Sequence, residues 1–116
     1  MSILVDINGT IIRDNKVLRH VVDYLHAVEE DIYVISGSTV EKFRQYKDLM
    51  ERLDISYKAI LLNPIDQDTD HSFKTSEALK IPNLTLAIDN NPKILRLYTE
   101  MGIKTIHPDD LKKDSR

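Results

Sequence analysis

Short apolar runs, each too brief for a helix, alternate along this chain with longer stretches whose apolar residues recur at helical spacing. Ile3-Leu4-Val5 is the first run, and it stops at Asp6-Ile7-Asn8-Gly9-Thr10. Ile32-Tyr33-Val34-Ile35, Ala59-Ile60-Leu61-Leu62, Leu84 to Ile88 and Ile103 to Ile106 follow the same pattern. Apolar, β-branched runs of this length read as strands covered on both faces. Between them, Leu18, Val21, Val22, Leu25 and Val28 predict a helix over 17–29. Thr39 is placed to N-cap a second helix, with Val40, Phe43, Tyr46, Met50 and Leu53 on its inner face and Ser36-Gly37-Ser38 ending the strand before it. A short helix is expected over 74–80, closed by Ile81-Pro82. A fourth is patterned by Ile94, Leu95, Tyr98 and Met101, with Pro92 in its first turn and Gly102 at its end. Thr10 to Arg13 and Lys16 to Leu18 predict a small hairpin turning at Asp14-Asn15. This alternation predicts an α/β fold: a three-layer, Rossmann-like sandwich with a mainly parallel five-stranded sheet and helices on both faces.

Length and charge narrow the function classes. A chain of 116 residues has room for one hydrophobic core, so a single domain over 1–116 is expected. Sixteen Lys+Arg against 19 Asp+Glu give a net charge of −3, which argues against a broad electrostatic grip on nucleic acid or an anionic membrane. The absence of cysteine excludes disulfides, thiolate zinc sites and cysteine nucleophiles. No apolar run approaches the roughly 20 residues that span a bilayer. Asp6 follows too soon after Met1 for a secretory signal, so a cytoplasmic protein without membrane contact is expected. His20, His26, His71 and His107 show no metal-ligand spacing. Asp66, Asp68 and Asp70, with Glu77 after them, imitate a calcium loop. However, His71 stands where that loop needs glycine, so 65–72 reads as a solvated acidic loop.

Ligands of parallel sheets bind beyond the carboxyl ends of the strands. Polar residues stand there after four of the runs: Asp6 to Thr10, Ser36-Gly37, Asn63 with the acidic loop, and Asp89 to Asn91. If the first and fourth runs are neighbours, Asp6 and Asp89 converge, and two such carboxylates need a proton or a cation between them. Their hard oxygens suit Mg²⁺. The hydroxyl of Ser36 and the N–H groups around Gly37, at a helix start, would seat a phosphate. A lysine at the same rim would neutralise it; Lys58, Lys74 and Lys80 are the candidates, and Lys74 opens the helix after the polar loop.

These motifs, in this order, resemble those of the haloacid dehalogenase superfamily: Asp6-Ile7-Asn8-Gly9-Thr10, Ser36, Lys74, and Ala87-Ile88-Asp89-Asn90-Asn91-Pro92. Phe73-Lys74 with Leu79, and the stretch around Asp89, are similar to the family's small phosphatases. The resemblance implies a Mg²⁺-dependent phosphohydrolase in which Asp6 attacks phosphorus to form an aspartyl-phosphate. It also implies metal ligation by Asp6, the backbone carbonyl of Asn8 and Asp89, and phosphate binding by Ser36, Gly37 and Lys74. The hairpin after Thr10 would be a small flap. Neither the interval from Thr10 to Ser36 nor that from Ser36 to Lys74 has room for a cap domain. By analogy, an open site suits a phosphorylated macromolecule, such as a nucleic-acid end or a phosphoprotein.

Two residues depart from the family pattern. Asn8 replaces the aspartate that protonates the leaving oxygen, and an amide cannot do so. A good leaving group, such as an acyl phosphate or pyrophosphate, would suffer less from that change. Asn90 replaces a second metal-side carboxylate; its amide oxygen can still accept a hydrogen bond from a metal-bound water. The alternative to an attenuated enzyme is therefore a catalytically weak or inactive protein that keeps the metal and phosphate seat. Asn8-Gly9 is also a deamidation-prone dipeptide, and conversion of Asn8 to aspartate would restore the acid.

Overall fold

The computed structural model describes residues 1–64 and 70–115. Strand β1 (Ser2–Asp6) opens the chain and is buried along its whole length. β2 (Ile12–Arg13) and β3 (Lys16–Val17) form the expected hairpin, antiparallel, with Ile12 opposite Val17. Its turn residues Asp14 and Asn15 both have positive φ, 53° and 62°, as a two-residue hairpin turn that matches strand twist requires. Then come α1 (Arg19–Ala27), β4 (Asp31–Thr39), a 3-10 turn (Val40–Lys42), α2 (Phe43–Arg52) and β5 (Ala59–Asn63). The second half contains α3 (Asp70–Lys80), β6 (Leu84–Ile88), α4 (Pro92–Glu100), β7 (Lys104–Ile106) and a 3-10 segment (Pro108–Ser115).

Five strands form one sheet in the order β5-β4-β1-β6-β7, and all four pairings are parallel. Side chains alternate across it. Ile3, Val5, Val34 and Ile88 face α1 and α2, packing with Val21, Val22, Leu49 and Met50. Leu4, Ile35 and Ala87 face α3 and α4, packing with Phe73, Ala78, Ile94 and Tyr98. Helices therefore cover both faces, and the expected Rossmann-like sandwich is the observed fold. The chain leaves β1 toward β4 and later returns to place β6 on the other side of β1. That reversal puts a crevice at the carboxyl ends of β1 and β6, where such sheets bind ligands.

Three local expectations are corrected. Ser36-Gly37-Ser38 does not end the second strand: β4 runs on to Thr39, because β5 pairs with Ser36 through Leu62 and with Thr39 through Asn63. The register shifts between those two pairs, so Gly37 and Ser38 bulge from the ladder rather than opening a helix. Val40 and Phe43 are exposed, not part of an inner face, while Tyr46, Leu49 and Met50 are buried. The 3-10 turn advances about three residues per turn, which shifts the phase of a stripe drawn for a continuous α-helix. Finally, α3 begins at Asp70, so Lys74 lies in its second turn rather than opening it. Phe73, buried in the core, draws the polar stretch before it into the helix.

Candidate active site

The loop that follows β1 is folded tightly on itself. Ile11 N and Ile12 N both donate to Ile7 O, Gly9 N donates to Ile12 O at 2.7 Å, and Ile7 and Ile11 are fully buried. Gly9 has φ +85°, and any side chain there would collide with the Asn90 amide. The positive φ favours glycine, and a Cβ there would also force the Asn90 side-chain amide to move. The engagement of Gly9 N also holds the nitrogen that deamidation of Asn8 would use. Beyond β6, Asp89 Oδ1 accepts from Asn91 N at 2.9 Å, and Asn91 Oδ1 accepts from Lys93 N at 2.9 Å as the N-cap of α4. These bonds orient Asp89 toward the crevice.

Asp6, Lys74 and Asp89 meet there, at 4%, 3% and 1% exposure. Lys74 Nζ donates to Asp6 Oδ1 and to Asp89 Oδ2, both at 2.8 Å. Thr10 Oγ1 donates to Asp6 Oδ2 at 3.1 Å. Asn8 stands at the rim, where its Nδ2 donates to Tyr46 OH at 2.9 Å and to Ser36 Oγ at 3.3 Å. Ser36 Oγ also accepts from Ser38 N at 3.2 Å, and Tyr46 OH donates to Ser38 Oγ at 3.0 Å. The cleft holds about 390 Å³ and is lined by Asp6, Asn8, Ser36, Gly37, Lys74 and Asp89, with Asn90 at its edge. The cleft thus brings together Asp6, Asn8, Ser36, Gly37, Lys74, Asp89 and Asn90, the residues that the family resemblance pointed to. Asn63 is buried at the end of β5 but does not line the cleft. Of the other lysines considered, Lys58 lies at the opposite end of the sheet, where its N–H bonds Ile32 O, and exposed Lys80 pairs with Glu77. The calcium-like stretch Asp66 to Asp70 lies outside the described residues, apart from the start of α3.

Tyr46 is the residue that sequence reasoning missed as part of the site. Its spacing places it on the inner face of a helix, and its ring is buried there, but its hydroxyl reaches Asn8, Ser36 and Ser38. Burial alone would raise its pKa; hydrogen bonds with Ser36, Ser38 and Asn8, and the charge of Lys42, lower it instead. Only the amphipathic nature of tyrosine hinted at this.

The charge balance is the main electrostatic feature. Two buried carboxylates and one buried ammonium leave an excess negative charge. Burial, then repulsion by Asp89, pushes the Asp6 carboxyl from 3.8 up to about 7, although Lys74 and Thr10 oppose this. Burial alone would lower the Lys74 pKa, but attraction to Asp6 and Asp89 raises it above its usual value. The cluster therefore takes up either a proton or a cation. Mg²⁺ fits the donors: two carboxylates with lone pairs remaining, and amide or backbone oxygens beside them. Among the described residues no group of three or more His, Cys, Asp or Glu is arranged for a metal, so phosphate and water would complete the shell.

A pH dependence follows. Asp6 binds its proton up to about pH 7 when folded but only up to about 3.8 when unfolded. Between these values the folded state holds more protons, so this group's contribution to stability falls as pH rises. A bound cation would replace that proton. Mg²⁺ is expected to raise the melting temperature more near pH 8 than near pH 5; equal shifts at both values would contradict the arrangement.

A larger cavity of about 620 Å³ lies at the other end of the sheet, beside Glu29, Asp31, Tyr57 and Lys58. It gathers no buried charged side chain, so size does not locate the chemistry here. No described helix is long and apolar enough to cross a membrane. A scan against protein-family models finds none that matches the chain, and a search of curated proteins finds no match either.

Proposed function

We propose that this protein is a Mg²⁺-dependent, cytoplasmic phosphohydrolase that works through an aspartyl-phosphate on Asp6. The observation that best supports this is the buried triad, in which Lys74 bonds Asp6 and Asp89 at 2.8 Å each at the point where the sheet order reverses. When bound, Mg²⁺ would be held by Asp6, Asp89, the Asn8 carbonyl and a water beside Asn90, and would supply charge neutralisation for the phosphoryl oxygens. Ser36 and the bulged backbone at Gly37 receive the other phosphoryl oxygens. Lys74 offsets the charge on Asp6 and on the phosphoryl group. The Asp6 oxygen attacks phosphorus as the bond to the leaving group breaks, and water then releases phosphate from the aspartyl-phosphate, a mixed anhydride.

Asn8 favours a second reading. Its amide is held by Tyr46 and Ser36 and has no acidic proton to give. A protein that binds metal and phosphate with little turnover would show the same geometry. Acetyl phosphate separates the two, because acetate departs without a proton. With Mg²⁺, the enzyme reading predicts a phosphoryl group on the peptide containing Asp6, absent from Asp6→Ala. Binding of fluoroberyllate with neither label nor phosphate release would instead favour the second reading.

A further inference from the structure

A second groove, about 510 Å³, adjoins the cleft and shares Asn8 and Asn90 with it. Its walls are the hairpin, through Ile12 and Arg13, and α2, through Tyr46, Leu49 and Arg52. Because the two cavities meet at Asn8, a group bonded to a phosphoryl moiety seated at Ser36 and Lys74 would have room to extend past Asn8 into this groove. Arg13 is fixed at that exit. Its Nη2 donates to Gly9 O at 3.0 Å, which holds the guanidinium one residue from Asn8. Its other partner is Asp109 at 3.4 Å, a half-exposed pair of little energetic weight that can be exchanged. Exposed Arg52 adds a cation on the facing wall, so two guanidiniums stand near two exposed carboxylates, Asp14 on the hairpin and Asp109 against Arg13.

The exit thus has guanidinium charge and no proton donor at Asn8. We infer that the leaving group is itself a phosphate, so that the substrates are phosphoanhydrides, and that Arg13 binds the departing phosphate. The inference rests on the phosphohydrolase reading. In the first step an Asp6 oxygen forms a bond to the terminal phosphorus. The bond from phosphorus to the bridging oxygen breaks, and its electron pair stays on the departing phosphate. That oxygen is a weak base and leaves without a proton, its added charge met by Arg13. In the second step water bonds to phosphorus, the Asp6 oxygen leaves with its electron pair, and the proton of water passes to solvent.

The test compares inorganic pyrophosphate, a nucleoside triphosphate, acetyl phosphate and glycerol phosphate, in excess Mg²⁺. At least one phosphoanhydride should be hydrolysed about tenfold or more faster than glycerol phosphate. Preference for the nucleotide over pyrophosphate would place a nucleoside against Ile12, Leu49 and Tyr46; the reverse would make pyrophosphate alone the ligand. Arg13→Ala should reduce anhydride turnover about tenfold more than acetyl phosphate turnover, with partial recovery in Arg13→Lys. A purely structural loss in Arg13→Ala would lower both activities together. Equal losses, or glycerol phosphate turned over as fast as the anhydrides, would overturn the assignment of the leaving group and leave the phosphohydrolase reading intact. No Asp6-dependent turnover of any of the four would overturn both.

Discussion

Asn8→Asp is expected to raise turnover of glycerol phosphate by about 10²–10⁴-fold, the usual contribution of a positioned general acid. The acceleration of acetyl phosphate should be far smaller, since its leaving group needs no proton. The two side chains have the same shape, and Tyr46 OH, 2.9 Å from the Asn8 amide nitrogen, is close enough to hydrogen-bond a carboxyl there. The cost is a third acid beside Asp6 and Asp89 at a site that already has excess negative charge. Like-charge repulsion raises the pKa of such a group and so favours the protonated form that acts as an acid. The measurement is kcat for each substrate in both proteins with saturating Mg²⁺. A variant no faster on glycerol phosphate would show that Asn8 does not face the leaving oxygen.

Lys74→Met is expected to cost about 3–5 kcal/mol near pH 8, the range for removing one partner of a buried ion pair. Methionine fills similar volume but leaves Asp6 and Asp89, at 4% and 1% exposure, without their shared cation. The sign with pH follows from the raised pKa of Lys74. Its charge contributes fully below its unfolded value of 10.5, and the contribution disappears as pH rises through the folded value. Near pH 5 the loss should be smaller, because the carboxyl of Asp6 already carries a proton there and only Asp89 is left as a buried charge without its cation. Urea unfolding at both pH values measures the effect, with Lys80→Met as control. Lys80 is exposed and pairs with Glu77 within α3, so its loss should be under about 1 kcal/mol. A Lys74→Met cost as small as that of the control would show that the triad is not buried in solution.

Both predictions depend on residues whose place at strand ends is visible in the chain itself. Ile3 to Val5 and Leu84 to Ile88 are apolar runs that end in aspartate, and a strand that leaves the core must end where polar groups can be satisfied. Asp14-Asn15 marks the hairpin turn because both residues tolerate positive φ, and that turn is observed. Pro92 and Gly102 bound α4 for similarly local reasons, although the capping side chain is Asn91. The errors came where a distant partner overrides local composition. β4 continues through Ser36-Gly37-Ser38 because β5 lies alongside it, and Phe73 extends α3 toward its N-terminus by packing in the core.

Periodicity and the chemistry of turns act between near neighbours, so element types, their alternation and the candidate polar residues follow from the order of amino acids. Contacts such as Lys74 with Asp6, separated by 68 positions, or Tyr46 with Asn8, separated by 38, do not. They exist because β6 lies next to β1 and because α2 and α3 pack on opposite faces of the sheet. Strand order and helix placement are set by how the whole core closes, which no local pattern of residues encodes.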